Sequence, residues 1–357
     1  MKRLLYMFNV EKISPARRDN LRNSLLPLIC LFLCLIATSA RVATSARVAT
    51  SARAQVSFKE KPNKIEVEID GRPFTTFHYG PDWPKPFLHP LREASGLVVT
   101  RGFPLETNAG ESNDHHWHRG LWFAHGDING VDFWRETSGD PARDQKLPLP
   151  VGRVVSKSHP KAQGGKTQGL LTAEFDLVAP DKKVLGTLRL SFTFHRLEGH
   201  NVVDVQAVIR ADHGAPLKMG DTEEGLLGFR FADAFKQERG ATLANSEGLK
   251  GTENIWGKRA RWVDYSTELQ GRRLGVAIFD HPSNPKHPTF WHARGYGLNA
   301  ANPFGEHDFY NDKTRNGSVT IPDKGELTFR YRVLIHQGGL DSIKVEPLYA
   351  AFAESSN

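Results

Sequence analysis

The chain has 357 residues and carries 47 Lys+Arg against 40 Asp+Glu, a formal net charge of +7. Nine of those basic residues and two of the acids fall in the first 54 positions, leaving 38 of each sign beyond them; a neutral body lacks the electrostatic footprint that nucleic-acid binding needs. Both cysteines, Cys30 and Cys34, also lie in that opening stretch, which excludes disulfides, Cys-ligated metal and a thiol nucleophile from the rest.

A basic segment comes first, then the apolar run Leu25–Ala37, interrupted only by Pro27, then small residues. That order is the order of a secretory signal. The run has 13 residues, short of the about 20 that span a bilayer. A hexapeptide beginning at Ala37 recurs from Ala43 and, with its last residue changed, from Ala49. Each copy offers a small-residue processing site. The expectation is an exported chain, periplasmic or extracellular, that starts near Gln55 and keeps no stable membrane span. Residues 1–54 are then leader, and residues 55–357 one domain.

Beyond the leader the pattern is β. Period-2 or β-branched runs predict strands at 64–69, 97–102, 171–178, 185–195 and 201–209, then at 226–231, 259–265, 274–279, 290–296 and 326–336. Gly, Pro and Asn clusters separate them. In the run 185–195, Leu188, Leu190, Phe192 and Phe194 alternate with Arg189, Ser191 and Thr193, as a half-buried antiparallel strand requires. No amphipathic helix recurs between strands, and one helix is expected near 341–354 despite Pro347. The fold class is all-β: a large antiparallel β-sandwich with a short C-terminal helix.

Histidine carries the functional signal. One window runs from Asp114 to Asp127 and holds His115, His116, His118 and His125, with Arg119 and Trp122 between them. The second holds His281, His287, His292 and His307, with Trp291, Arg294 and Tyr296 interleaved. On a strand at 290–296, His292, Arg294 and Tyr296 share one face and Trp291 points the other way. Such a face suits a cleft, where Arg and Tyr bind carboxylates or hydroxyls and His moves a proton. His115, His118 and His125 are also the types that hold copper, iron or zinc. The acidic turn 220–225 adds Glu224, a carboxylate able to work opposite a histidine. No phosphate loop, dinucleotide fingerprint or nucleophile elbow occurs.

Five stretches, His115–Trp134, Trp256–Tyr265, Ala277–Pro282, Trp291–Leu298 and Asn299–Phe309, resemble the bacterial proteins catalogued as "methane oxygenase PmoA" domain proteins. The likeness runs roughly from Phe87 to His336. The family's D-H-P-H-H-R run falls on Asp114, His115, His116, Trp117, His118 and Arg119, with His116 in place of its proline and Trp117 in place of its middle histidine. The name echoes a transmembrane subunit, whereas this chain has no apolar run of 18 residues beyond its leader. The β-rich build is similar, at the level of fold, to the sandwiches of galactose-mutarotase-like sugar enzymes.

The combined expectation is a carbohydrate-active protein. His118, His292 and Glu224 are its candidate catalytic groups; Arg119, Trp122, His125, Arg294, Tyr296 and His307 are its candidate contacts to a sugar, uronate or glycan. Epimerisation, elimination and hydrolysis all remain open. The alternatives are an oxidoreductase with a divalent metal on His115, His118 and His125, and a non-catalytic sugar-binding module.

Overall fold

The computed structural model describes residues 55–355, and the leader expectations lie outside them. The alternation of apolar and polar residues becomes pleat. Along Val184–Leu197, Leu188, Leu190, Phe192 and Phe194 are buried while Arg189 is exposed.

Two large antiparallel sheets result. The first has eight strands in the order Val56–Lys61, Lys64–Ile69, Arg72–His78, Phe87–Leu88, Leu121–His125, Gly225–Arg230, Leu298–Asn302 and Phe290–Arg294. The second has nine. Its path is Thr242–Asn245, Trp262–Leu269, Arg272–Asp280, Glu326–Gln337, His200–Arg210, Val184–Leu197, Gln168–Val178 and Arg153–Ser156, with Lys161–Gln163 also on Gln168–Val178. One apolar cluster draws on both, from Phe77, Phe123, Phe229 and Trp291 of the first to Phe175, Phe194, Val205 and Val333 of the second. That shared cluster is the filling of a β-sandwich.

The C-terminal helix is Val345–Ala353. Val345, Leu348, Tyr349 and Phe352 form its buried stripe and cover the other face of the second sheet at Val202, Trp262, Ala277, Phe279 and Leu334. Pro347 is harmless there, because its missing N–H falls in the first turn.

Three expected strands need correction, the run 290–296 because it ends at Arg294 and leaves Tyr296 in the turn that follows. The segment 97–102 forms only isolated bridges, Arg92 with Val98 and Thr100 with Phe231, because Arg101 is drawn into a buried ion cluster described below. The run 259–265 starts late, at Trp262, with Arg259 making a lone bridge to Phe290. Among the described residues, no helix is long and apolar enough to cross a membrane.

Candidate functional site

The face of the first sheet that points away from the core has a floor set by register. Phe87 pairs with Trp122, Trp122 with Gly228, Gly228 with Ala300, and Ala300 with His292. These five residues form one row across five strands. Adjacent strands lie about 4.8 Å apart, so Trp122 and His292 sit roughly 14 Å apart along the row. The next row holds Arg230, Leu298 and Arg294. Phe87, Trp122, Ala124, Trp134, Leu298 and Ala300 form an apolar cluster of their own here, separate from the core.

Gly228 shapes that floor. A Cβ on it would lie 2.5 Å from Trp122 and 2.7 Å from Trp134, so its bare backbone lets the two indoles lie on the sheet, ring centres 4.9 Å apart. Gly228→Ala is expected to fold and to lift this indole pair. The check is tryptophan fluorescence: an unchanged emission spectrum in a folded variant would contradict the packing described here.

The loop before Leu121–His125 closes over one end. Tyr296, His115, His118 and Trp122 stack in a column, with ring centres 5.4, 4.9 and 5.2 Å apart and planes within 19° of parallel. His115 holds its place at φ +41°, a left-handed conformation that costs a non-glycine residue about 1–2 kcal/mol. The two histidine windows therefore meet, through His115 and Tyr296. Beneath the loop, Asp114 Oδ1 accepts from both Arg101 Nη1 and Arg230 Nη2 at 2.6 Å. Arg101 also donates to the carbonyls of His115 and His118, and the Arg230 guanidinium lies 4.7 Å from the Tyr296 ring centre.

The other end is acidic. Asp132 Oδ1 accepts from the backbone N–H of Trp134 and Arg135, fixing the turn that aims Trp134 at His118. Arg135 then bridges Asp132 and Glu224 at 3.0 and 2.8 Å. Glu224 Oε2 is left buried without a partner. Burial pushes this carboxyl up against the pull of Arg135, to about 7, the range a general acid or base needs near neutral pH.

His118 is the second group with unused capacity. It is buried, and neither ring nitrogen has a partner. Burial, with Arg230 and His115 nearby, lowers its pKa far below the ordinary histidine range, so the ring is neutral. The indole N–H groups of Trp117, Trp122 and Trp134, and Nε and Nη1 of Arg230, are buried and unpartnered as well. Buried polar groups are ordinarily satisfied. On this one aromatic face such unsatisfied donors and acceptors are concentrated.

Other candidates are committed elsewhere. His292 donates from Nδ1 to the Glu223 carbonyl and accepts at Nε2 from Arg294 Nε. Burial lowers its pKa to about 3. With both nitrogens in use, it positions Arg294 and is not a proton carrier. Arg294 also pairs with Glu223 at 3.0 Å and lies over Trp256, partly exposed. Arg119 is corrected too: its guanidinium donates two hydrogen bonds, 2.6 Å each, to the Glu136 carboxylate, inside a buried cluster that includes Lys85. Both of its terminal nitrogens are spent on that carboxylate. His125 has the strand parity of Leu121 and Phe123, and donates from Nε2 to the Gly220 carbonyl at 2.9 Å beside Phe304. It faces the core. That parity also breaks the set His115, His118 and His125, and among the described residues no three His, Cys, Asp or Glu side chains converge as metal ligands. His307 is clamped between Asp221 and Asp308.

Arg101, Arg230, Arg135, Trp117 and Trp134 join the site without having been singled out for it. Trp117 and Trp134 lay within the family-like stretch His115–Trp134, and Arg230 had a cue as a charged residue at the end of an apolar run.

The profile of a family described as a family of unknown function (DUF6807) matches residues 64–350. The chain belongs to that family. No curated protein matches it by sequence. Among solved structures it is similar to the Slr1438 protein of Synechocystis sp. PCC 6803, at 10% identity over 80% of this chain and 96% of that one, TM-score 0.31. It is similar also to HI1317, at 9% identity over 79% and 99%, TM-score 0.25. Likenesses this distant bear on neither ligand nor reaction.

Proposed function

We propose that the aromatic face of the first sheet binds a carbohydrate and that Glu224 exchanges a proton with it. One observation carries this reading: the indole N–H groups of Trp117, Trp122 and Trp134, both nitrogens of His118 and Glu224 Oε2 are buried and unpartnered on the same face. Sugars present what such a surface takes, with C–H faces for the rings and hydroxyls for the donors and acceptors.

Within that reading, one carboxyl poised near neutrality favours catalysis over passive binding. Hydrolysis of a glycoside uses two carboxyl groups flanking the bond, and the nearest companions of Glu224 are committed: Asp132 to Arg135, Glu223 to Arg294. Abstraction and return of a proton, as in epimerisation or elimination, asks less, since one carboxyl near neutrality can both take and return it, and neutral His118 can hydrogen-bond the ligand.

The test is a tryptophan-fluorescence titration with a panel of neutral and acidic monosaccharides and their oligomers. At least one is expected to quench or shift the emission, and Trp122→Phe is expected to reduce that change. A panel that leaves the emission untouched would remove the carbohydrate reading.

A further inference from the structure

We propose that the ligand of this cleft carries a carboxylate and that Arg230 receives it. The proposal rests on the carbohydrate reading above and selects the acidic sugars from it.

Arg230 rises from the second row of the floor and is 0% exposed. Of its donor atoms only Nη2 is engaged, with Asp114 at 2.6 Å and more weakly with Ser112 at 3.4 Å. Nε and Nη1 are buried with nothing to bond. Its one carboxylate is also shared, because the same Asp114 oxygen accepts from buried Arg101.

Neighbouring acids are already occupied. Glu111 spends its oxygens on the backbone N–H groups of Gly102 and Phe103, and its charge acts on Arg101. Asp233 takes Ser112, Lys236 and Arg239. At the other end of the aromatic cluster, Glu136 is likewise one carboxylate shared by two cations, Lys85 and Arg119.

A buried guanidinium that shares its carboxylate oxygen and leaves two donor atoms unbonded is costly unless something completes it. A sugar hydroxyl would satisfy the free donors but leave the charge. A carboxylate does both, through charge-assisted bonds. The Tyr296 ring against the guanidinium limits its movement, so the geometry is set before the ligand arrives.

The experiment is calorimetric binding of D-galacturonate and D-glucuronate against D-galactose and D-glucose, at one pH and ionic strength, to the full chain and to Arg230→Lys. Each acid is expected to bind at least about tenfold more tightly than its neutral counterpart. In Arg230→Lys that preference should collapse, because lysine keeps the charge but loses the planar fork. Neutral sugars binding as tightly as acids would overturn this proposal and leave the carbohydrate reading standing. Binding of lactate or benzoate, with every sugar silent, would support Arg230 as a carboxylate site and remove the carbohydrate reading. Silence from all six probes would overturn both. If Arg230→Lys does not fold, the comparison of acids with neutral sugars on the unmodified chain decides alone.

Discussion

Glu136→Gln is expected to cost about 3–5 kcal/mol of stability, the usual penalty for removing one partner from a buried ion cluster. Glu136 is 3% exposed and accepts from Lys85 Nζ at 2.5 Å and from both ends of the Arg119 guanidinium. A glutamine keeps the shape but leaves an ammonium and a guanidinium buried with no counter-charge, and turns its own N–H groups toward donors. Burial pushes the Glu136 carboxyl up, yet Lys85 and Arg119 outweigh it and hold it at about 2. Because the folded value lies below the ordinary 4.5, the stability tied to its charge is complete above about pH 4.5 and drains away as pH falls toward 2. Urea unfolding at pH 7 and at pH 3 is the measurement, with a smaller gap between variant and wild type at pH 3. A loss under about 1 kcal/mol at pH 7 would show the cluster to be far better solvated than its burial indicates. Burial lowers the Lys85 ammonium even with Glu136 beside it, so the cluster is expensive to keep and more expensive to break.

Glu224→Gln is expected to act in the opposite direction on stability. The folded carboxyl titrates at about 7, above its ordinary 4.5. Below pH 4.5 both folded and unfolded chains hold the proton. Between 4.5 and 7 only the folded chain does, so this residue's contribution falls as pH rises, by up to about 3 kcal/mol once the folded group is ionised. The glutamine variant escapes that penalty. It should be the more stable protein at pH 8, less the part of the gain lost with the Arg135 ion pair, and should match wild type near pH 4. Any turnover that depends on the proton is lost with it. Unfolding curves across pH 4 to 8 read the first effect; identical pH dependence in the two proteins would mean that Glu224 is not the buried, half-paired group described here.

The sandwich was legible where one strand face is polar. Leu188, Leu190, Phe192 and Phe194 announce their strand, and the sequence parity that sends Trp291 inward and His292 and Arg294 outward is the parity observed, with the Trp291 indole bonded to the Ala260 carbonyl in the core. Leu121–His125 hid for the opposite reason. All five residues are buried, because the core lies on one side and the aromatic cleft on the other, and with both faces covered the two-residue period vanishes. That strand decides the fate of two candidates, since its parity puts Trp122 in the cleft and His125 in the core. The ion clusters were not legible. Arg230 and Asp114 are 116 residues apart, and sharing a carboxylate between two distant arginines leaves no local pattern. The count of histidines marked the right loop but not their duties: His292 spends both nitrogens on its neighbours, whereas His118 spends neither.

The single row that runs Phe87, Trp122, Gly228, Ala300 and His292 also ties the protein's variability to its arithmetic. One residue inserted within Leu121–His125 or Gly225–Arg230 would turn every following side chain of that strand over, sending indoles into the interior and core leucines into the cleft at once. Fold and ligand recognition would fail together. An insertion between Thr137 and Pro150, where most side chains are exposed, leaves the row intact. Length polymorphism within the family should therefore collect in such loops, and strand lengths along the row should stay frozen even where the identities of individual side chains drift.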